Sequence, residues 1–233
     1  MDPERRRRLA REALGGYANG PDAPVLAEAE AGRRAASARH VVLVEGISDQ
    51  MALETLAAIQ GRQLSDEGVV VVPIGGAHAI GRSLAHFGPA GRGLGVTGLC
   101  DEAEEPLFRR AFARAGAEGG GGPRTGSEAE PPACFVCVRD LEDELIRALP
   151  ADRIEALLDG QGDLVSFRTM QRQPAWRDGA FAAQFHRWLR AGARRNLRYA
   201  RLLVAAIDHD RWPAPLVGAL AVTGAGAGRA GGR

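Results

Sequence analysis

Four short apolar runs constrain this chain more than any other feature: His40–Val44, Val69–Ile74, Leu94–Cys100 and Cys134–Val138. Each is continuous rather than alternating, and the first is rich in β-branched residues, which is the pattern of strands buried on both faces. Helical patterns lie between them, at Gln50–Gln60, Ala77–Phe87 and a segment opened by Pro106 and running to Ala115. Proline is tolerated at such a start because the first helical N–H groups have no intrahelical acceptor. Strands separated by helices long enough for a crossover predict an α/β fold with a central four-stranded parallel sheet. After Pro150 the pattern is helical throughout, with helices predicted over 151–159, 178–191, 194–207 and 213–221. The expected organisation is a helical or partly disordered segment over 1–37, an α/β domain over 38–150, a helical Arg-rich extension over 151–222 and a disordered tail over 223–233. A Gly/Pro-rich loop over 116–133 interrupts the α/β domain, since it has no apolar period.

Composition removes several function classes. The 233 residues include 30 basic side chains, and every one is arginine. Without lysine there is no G-x-x-x-x-G-K-[ST] phosphate loop, no Schiff base and no lysine general base. No apolar run reaches the ~20 residues of a membrane span. The charged start (Met1 to Arg8) lacks the apolar stretch of a signal peptide, so the expectation is a cytoplasmic protein without a membrane partner. Cys100, Cys134 and Cys137 are an odd count and read as core residues. Residues 134 and 137 fall three apart on one predicted strand and so point to opposite faces, which does not make a metal site.

The chemistry is concentrated where the strands end. Glu45 follows the first strand, Asp101 the third, and Asp140 with Glu142 the fourth, while Asp49 lies one helical turn beyond Glu45. In a parallel sheet these ends share one edge, where ligands bind. Converging carboxylates repel one another unless a cation lies between them, and oxygen donors favour Mg²⁺ or Mn²⁺. Each acid also opens a helix, where the macrodipole favours negative charge by itself. Gly75-Gly76 after the second strand reads either as a tight turn or as a backbone approach to a phosphate.

The succession Val44-Glu45-Gly46 followed by Ser48-Asp49, then Pro73-Ile74-Gly75-Gly76, then Gly98-Leu99-Cys100-Asp101 with further acids, resembles the TOPRIM domain. With Asp140-Leu141-Glu142 it is most similar to the version in OLD-family (overcoming lysogenization defect) nucleases. The resemblance covers about residues 39–149 and implies a Rossmann-like TOPRIM fold. It implies Glu45 as metal ligand or general acid/base, Asp49 and Asp101 as metal ligands, and Glu142 as a further ligand at a second metal. It also implies Mg²⁺ (or Mn²⁺) as cofactor and DNA, in preference to RNA, as partner. The family's Asp-x-Asp has Ala103 in its second place here, which leaves Glu104, Glu105 and Asp140 as candidate substitutes. A basic residue beyond the core assists some relatives, and Arg194, Arg195 and Arg198 are the candidates, with Arg195 taken as the catalytic one.

The segment from Phe167 to Arg201 carries nine arginines against one acid, Asp178. Arg187, Arg190, Arg194, Arg195 and Arg198 form the expected nucleic-acid contact, while Phe181, Phe185 and Trp188 have the spacing of a buried helix face. The expected activity is Mg²⁺-dependent hydrolysis of DNA by a stand-alone OLD-like TOPRIM protein. Its alternatives are a catalytically degenerate module that binds nucleic acid or a separate ATPase protein, and a primase-like nucleotidyl transferase.

Overall fold

The computed structural model of the chain describes residues 3–18, 20–118 and 134–224. Its centre is a four-stranded, wholly parallel sheet of β1 (His40–Val44), β2 (Val69–Pro73), β3 (Gly95–Asp101) and β4 (Cys134–Cys137), in the order β2-β1-β3-β4. Val44 pairs with Pro73 on one side and Leu99 on the other, and Asp101 pairs with Cys137. This register brings Glu45 and Asp101 to one edge, with the segment after Cys137 beside them.

The helices are α1 (Pro3–Ala13), α2 (Ala23–Arg34), α3 (Ile47–Ile59), α4 (Ile80–Phe87), α5 (Glu105–Glu118), α6 (Leu141–Arg147) and α7 (Ala151–Gly160). They continue as α8 (Leu164–Gln171), α9 (Phe181–Arg190), α10 (Ala193–Ala206) and α11 (Ala214–Gly224). The continuous apolar runs are explained by two cores, one on each face. Val41, Leu43, Val70 and Val72 pack with α2, α4 and α5, while Val42, Val44, Val69 and Val71 pack with the helices after β4. Cys134 lies against the first core and Cys137 in the second, as the strand period requires. Gly98 allows α5 to approach closely, because a Cβ there would meet the Phe112 ring at 2.8 Å.

The C-terminal helices share their core with the sheet. Phe167, Phe185, Trp188 and Tyr199 form edge-to-face and stacked pairs with centroids 5.5–5.9 Å apart, in the same cluster as Val42 and Val44. These rings are therefore packing groups and not stacking platforms for bases. At the N-terminus, Ala31 and Ala35 are fully buried against the β1 and β2 face.

Four local readings need correction. Helix α3 begins at Ile47, ahead of the start expected at Gln50, with Gly46 in the N-cap position. Helix α8 was not anticipated, being only two turns long and carrying a single fully packed anchor, Phe167. Thr223 and Gly224, assigned to the tail, close α11, while residues 225–233 lie outside the described residues. Of the expected loop over 116–133, residues 116–118 end α5 and the remainder lies outside the described residues.

Two stability predictions arise here. Gly75 and Gly76 have φ of +76° and +107°, and the Gly76 N–H donates to the Glu45 carbonyl at 3.0 Å, so the pair is a turn at the edge of β2. With ψ at 153°, Gly76 occupies a region open only to glycine. Gly76→Ala is expected to cost about 1–3 kcal/mol in urea unfolding. His40 hydrogen-bonds Thr97 Oγ1 at 2.8 Å, and burial pushes its pKa down to about 4. Between about pH 6.5 and 4 the unfolded state then binds the extra proton, so stability falls with pH across that window. On the order of 2 kcal/mol should separate the pH dependence of wild type from that of His40→Gln by pH 4.5.

Candidate metal centre

The strand-end acids do converge, and what each one touches separates their roles. Glu45 leaves β1 with Oε1 accepting the Asp101 N–H at 3.0 Å, which ties the ends of β1 and β3 together. Asp49 sits on the first turn of α3, where Oδ2 accepts the Gly46 N–H at 2.8 Å. Asp101 Oδ1 accepts the Leu141 N–H at 3.2 Å, holding the start of α6 against β3. Among the described residues none of these three carboxylates is paired with an arginine; only backbone N–H groups meet their charge.

Their proton affinities reflect that deficit. Burial, then repulsion from Glu45, Asp140 and Glu142, pushes the Asp101 carboxyl up to about 7. Burial, followed by the charge of Asp101, raises Asp49 well above the usual carboxylate range. Glu45 is raised by burial, with Glu104 and Glu142 adding repulsion against the Asp101 N–H bond. Clustered acids of this kind are what a divalent cation relieves.

Among the described residues, the acids and histidine that place one ligand atom each within 4.8 Å of one another are Asp140, Glu142 and His186. Of these, Asp140 is already satisfied. Asp140 caps α6 through the Asp143 N–H at 2.9 Å, accepts from His186 Nε2 at 2.7 Å and accepts from Arg190 Nη1 at 3.0 Å. Arg139 Nη2, which can only donate, faces His186 Nδ1 at 3.4 Å. Arg139 itself has φ of +68°, a left-handed conformation uncommon for a non-glycine residue, and its N–H donates to Glu102 Oε2 at 3.1 Å. Asp140 therefore has its charge neutralised within the protein. Glu142 is the one acid of this set without an arginine; its Oε1 accepts from Asn196 Nδ2 at 2.6 Å. Of the acids at this edge, Glu45, Asp49, Asp101 and Glu142 are thus without an arginine partner among the described residues, and all offer oxygen donors.

The candidate substitutes for the acid missing at Ala103 separate in the same way. Glu105 is turned to Arg109, and Asp140 is held by His186 and Arg190. Glu104 alone lies near enough to Glu45 to raise its pKa.

The arginines divide by packing. Arg198 is buried and ion-paired with Asp163, which removes it from the expected nucleic-acid surface. Arg195 lies over the Trp188 ring, 3.9 Å from its centroid, and donates to the Trp188 carbonyl, so the arginine expected to be catalytic is held against α9. Arg187 is exposed on α9, and Arg190 spans from solvent to Asp140. Arg194 is exposed, has no ion pair among the described residues, and lines a cleft of about 610 Å³ that Glu45, Gly46, Ser48 and Gly75 also line.

His186 and Asn196 are contacts that sequence reasoning missed. They lie 46 and 54 residues from the acids they hold, on helices that carry no local sign of that pairing. No helix among the described residues is long and apolar enough to cross a membrane.

Comparison with known proteins agrees with this architecture. Residues 38–96 match the family model of the overcoming lysogenization defect protein-like TOPRIM domain. The fold is similar to the C-terminal region of the Xanthomonas campestris pv. campestris OLD protein, with a TM-score of 0.58 at 22% identity over 82% of this chain and 94% of that one. It is also similar to the C-terminal region of the Burkholderia pseudomallei OLD protein, with a TM-score of 0.56 at 20% identity over 81% of this chain and 98% of that one. No curated protein sequence matches the chain.

Proposed function

We propose that this chain, which carries an OLD-like TOPRIM domain, is a Mg²⁺- or Mn²⁺-dependent enzyme that hydrolyses phosphodiester bonds in nucleic acid, with DNA as its substrate. The observation that carries the reading is the group of Glu45, Asp49 and Asp101, buried or half-buried together with no arginine among the described residues paired to them. Structural acids are normally paired when buried, so a group left unpaired at the ligand-binding edge of a parallel sheet points to a bound cation. Glu45, Asp49, Asp101 and Glu142 would hold it. When bound, such a cation supplies Lewis acidity toward a phosphoryl oxygen and lowers the pKa of a water.

The chain's own groups supply the rest. Arg194 stands at the cleft beside Glu45, where a guanidinium steadies a phosphate as charge develops on it. Asn196 fixes Glu142, and the His186–Asp140–Arg190 network holds the start of α6 and so the position of Leu141, whose N–H orients Asp101. Supporting groups of this kind keep ligands in register.

Ala103 favours one rival, a degenerate module that binds nucleic acid without cutting it. Mn²⁺ titration with plasmid cleavage separates the two. A saturable rise in melting temperature, worth about 2–3 kcal/mol at one hundred times Kd, together with Mn²⁺-dependent nicking supports the enzyme. Saturable binding of DNA with no response to Mn²⁺ supports the module.

A further inference from the structure

The cleft beside Glu45 has a composition that a duplex backbone does not need. It is bounded by the N-terminal turns of three helices, at Ala23 of α2, Ile47 of α3 and Ala193 of α10, and by the end of β2. Its inner wall is apolar, formed by Pro21, Pro24, Ile47, Pro73 and Leu197. Its charged groups are Arg194 and Glu45. At the start of α10, whose N-cap is Gly192, the Ala193 and Arg194 N–H groups have no acceptor among the described residues, whereas at α2 the Ala23 N–H donates to the Gly20 carbonyl and Pro24 has no N–H.

We infer that this cleft receives a single unpaired nucleotide, which makes the substrate a strand that is single-stranded or locally opened at the cut. The inference rests on the phosphodiesterase reading above and adds what lies next to the cut. A volume of about 610 Å³ falls within the ~300–1,000 Å³ of ligand pockets, which is room for one nucleotide. Arg194 and the first N–H groups of α10 complement a phosphate, and the proline and leucine wall complements a base face. A base inside a duplex cannot occupy such a wall while its phosphate is at Glu45, because it is stacked and paired on the far side of the sugar. It must be extruded or already unpaired. The wall has no aromatic ring, and Asn196, its one amide, is engaged by Glu142. Base identity is therefore read weakly, and the contact is sequence-tolerant.

The test uses the full chain in Ca²⁺, which fills oxygen sites with looser geometry than Mg²⁺. The probe is a short oligonucleotide carrying 2-aminopurine, offered single-stranded and annealed. The expected result is a saturable rise in fluorescence with the single strand, and an affinity roughly tenfold above that for the duplex. Pro24→Phe, which places a ring in the cleft from an exposed position, should remove the rise. Leu197→Phe is the second variant should the first misfold. Equal affinity for both forms, with fluorescence unaffected by either variant, overturns the inference. Cleavage in Mn²⁺ distinguishes the two claims. Cutting of duplex and single strand at the same rate overturns the cleft occupant and leaves the nuclease reading intact. The fluorescence rise without cutting of either substrate supports the occupant and removes the nuclease reading.

Discussion

Replacing Glu45 by Gln and Asp101 by Asn together is expected to abolish metal-dependent plasmid cleavage, by about 10³-fold or more, and to stabilise the metal-free protein. The two effects have opposite signs for one reason. Both carboxylates are pushed above their usual range, Glu45 by burial and the charges of Glu104 and Glu142, Asp101 by burial and the charges of Glu45, Asp140 and Glu142, which is free energy stored against folding. The amides keep the geometry, since an amide oxygen at position 45 still accepts the Asp101 N–H and one at position 101 still accepts the Leu141 N–H. Removing the charge should therefore raise stability by about 1–3 kcal/mol, a few degrees in melting temperature for a chain of this size. If the acids were structural, both substitutions would lower it. Cleavage that survives in the double variant sinks the assignment, and a fall in metal-free melting temperature assigns the pair to folding instead. In excess Mn²⁺ the order should reverse, because only the wild type gains stability from binding.

The second large effect belongs to Arg198. Its guanidinium pairs with Asp163 inside the helical core, both groups being almost wholly buried, and the Tyr199 hydroxyl donates to the same carboxylate at 3.1 Å. The Arg198 Nε has no hydrogen-bond partner, so the pair is not fully satisfied. Arg198→Ala removes the buried guanidinium that faces Asp163, and is expected to cost about 3–5 kcal/mol in urea unfolding. Arg198→Met with Asp163→Leu should recover most of the loss, because a packed apolar pair avoids the desolvation of two ions. Arg194→Ala is the contrast. It should change stability by less than about 0.5 kcal/mol and lower the salt dependence of DNA binding by about one phosphate contact. Reversed results, with Arg198→Ala stable and Arg194→Ala unfolded, would show that the packing of α10 has been misassigned.

How much was readable in the chain differs between these residues. The sheet was legible because its signal is local. A short continuous apolar run, a turn and a helix specify a strand buried on both faces, and four such runs in crossover spacing leave a parallel arrangement as the natural solution. The acidic edge followed from the same feature, since parallel strands must all end on one side. Glu45, Asp101 and the start of α6 meet there, tied by hydrogen bonds from the Asp101 N–H to the Glu45 carboxylate and from the Leu141 N–H to the Asp101 carboxylate.

The arginines were not legible. Arg194, Arg195 and Arg198 occupy one helix within five residues, and nothing in their local sequence distinguishes a cleft residue from a ring-stacked or buried one. Each step along a helix turns the side chain by about 100°, so the facing of α10 against α3, α6 and α9 decides the outcome. Arg198 turns inward to Asp163, Arg195 turns onto Trp188 and Arg194 turns to the cleft. The fate of Asp140 was equally hidden. From sequence it was one more acid on the edge, while in the fold His186 and Arg190 arrive from α9 to neutralise it.

By itself, then, the amino-acid order determined the strands, their common edge and the acids placed on it, all of which depend on the period and polarity of neighbouring residues. Only the tertiary structure decided which acids stay unbalanced and which arginine faces them, because charge balance is settled by groups tens of residues apart that helix packing brings together.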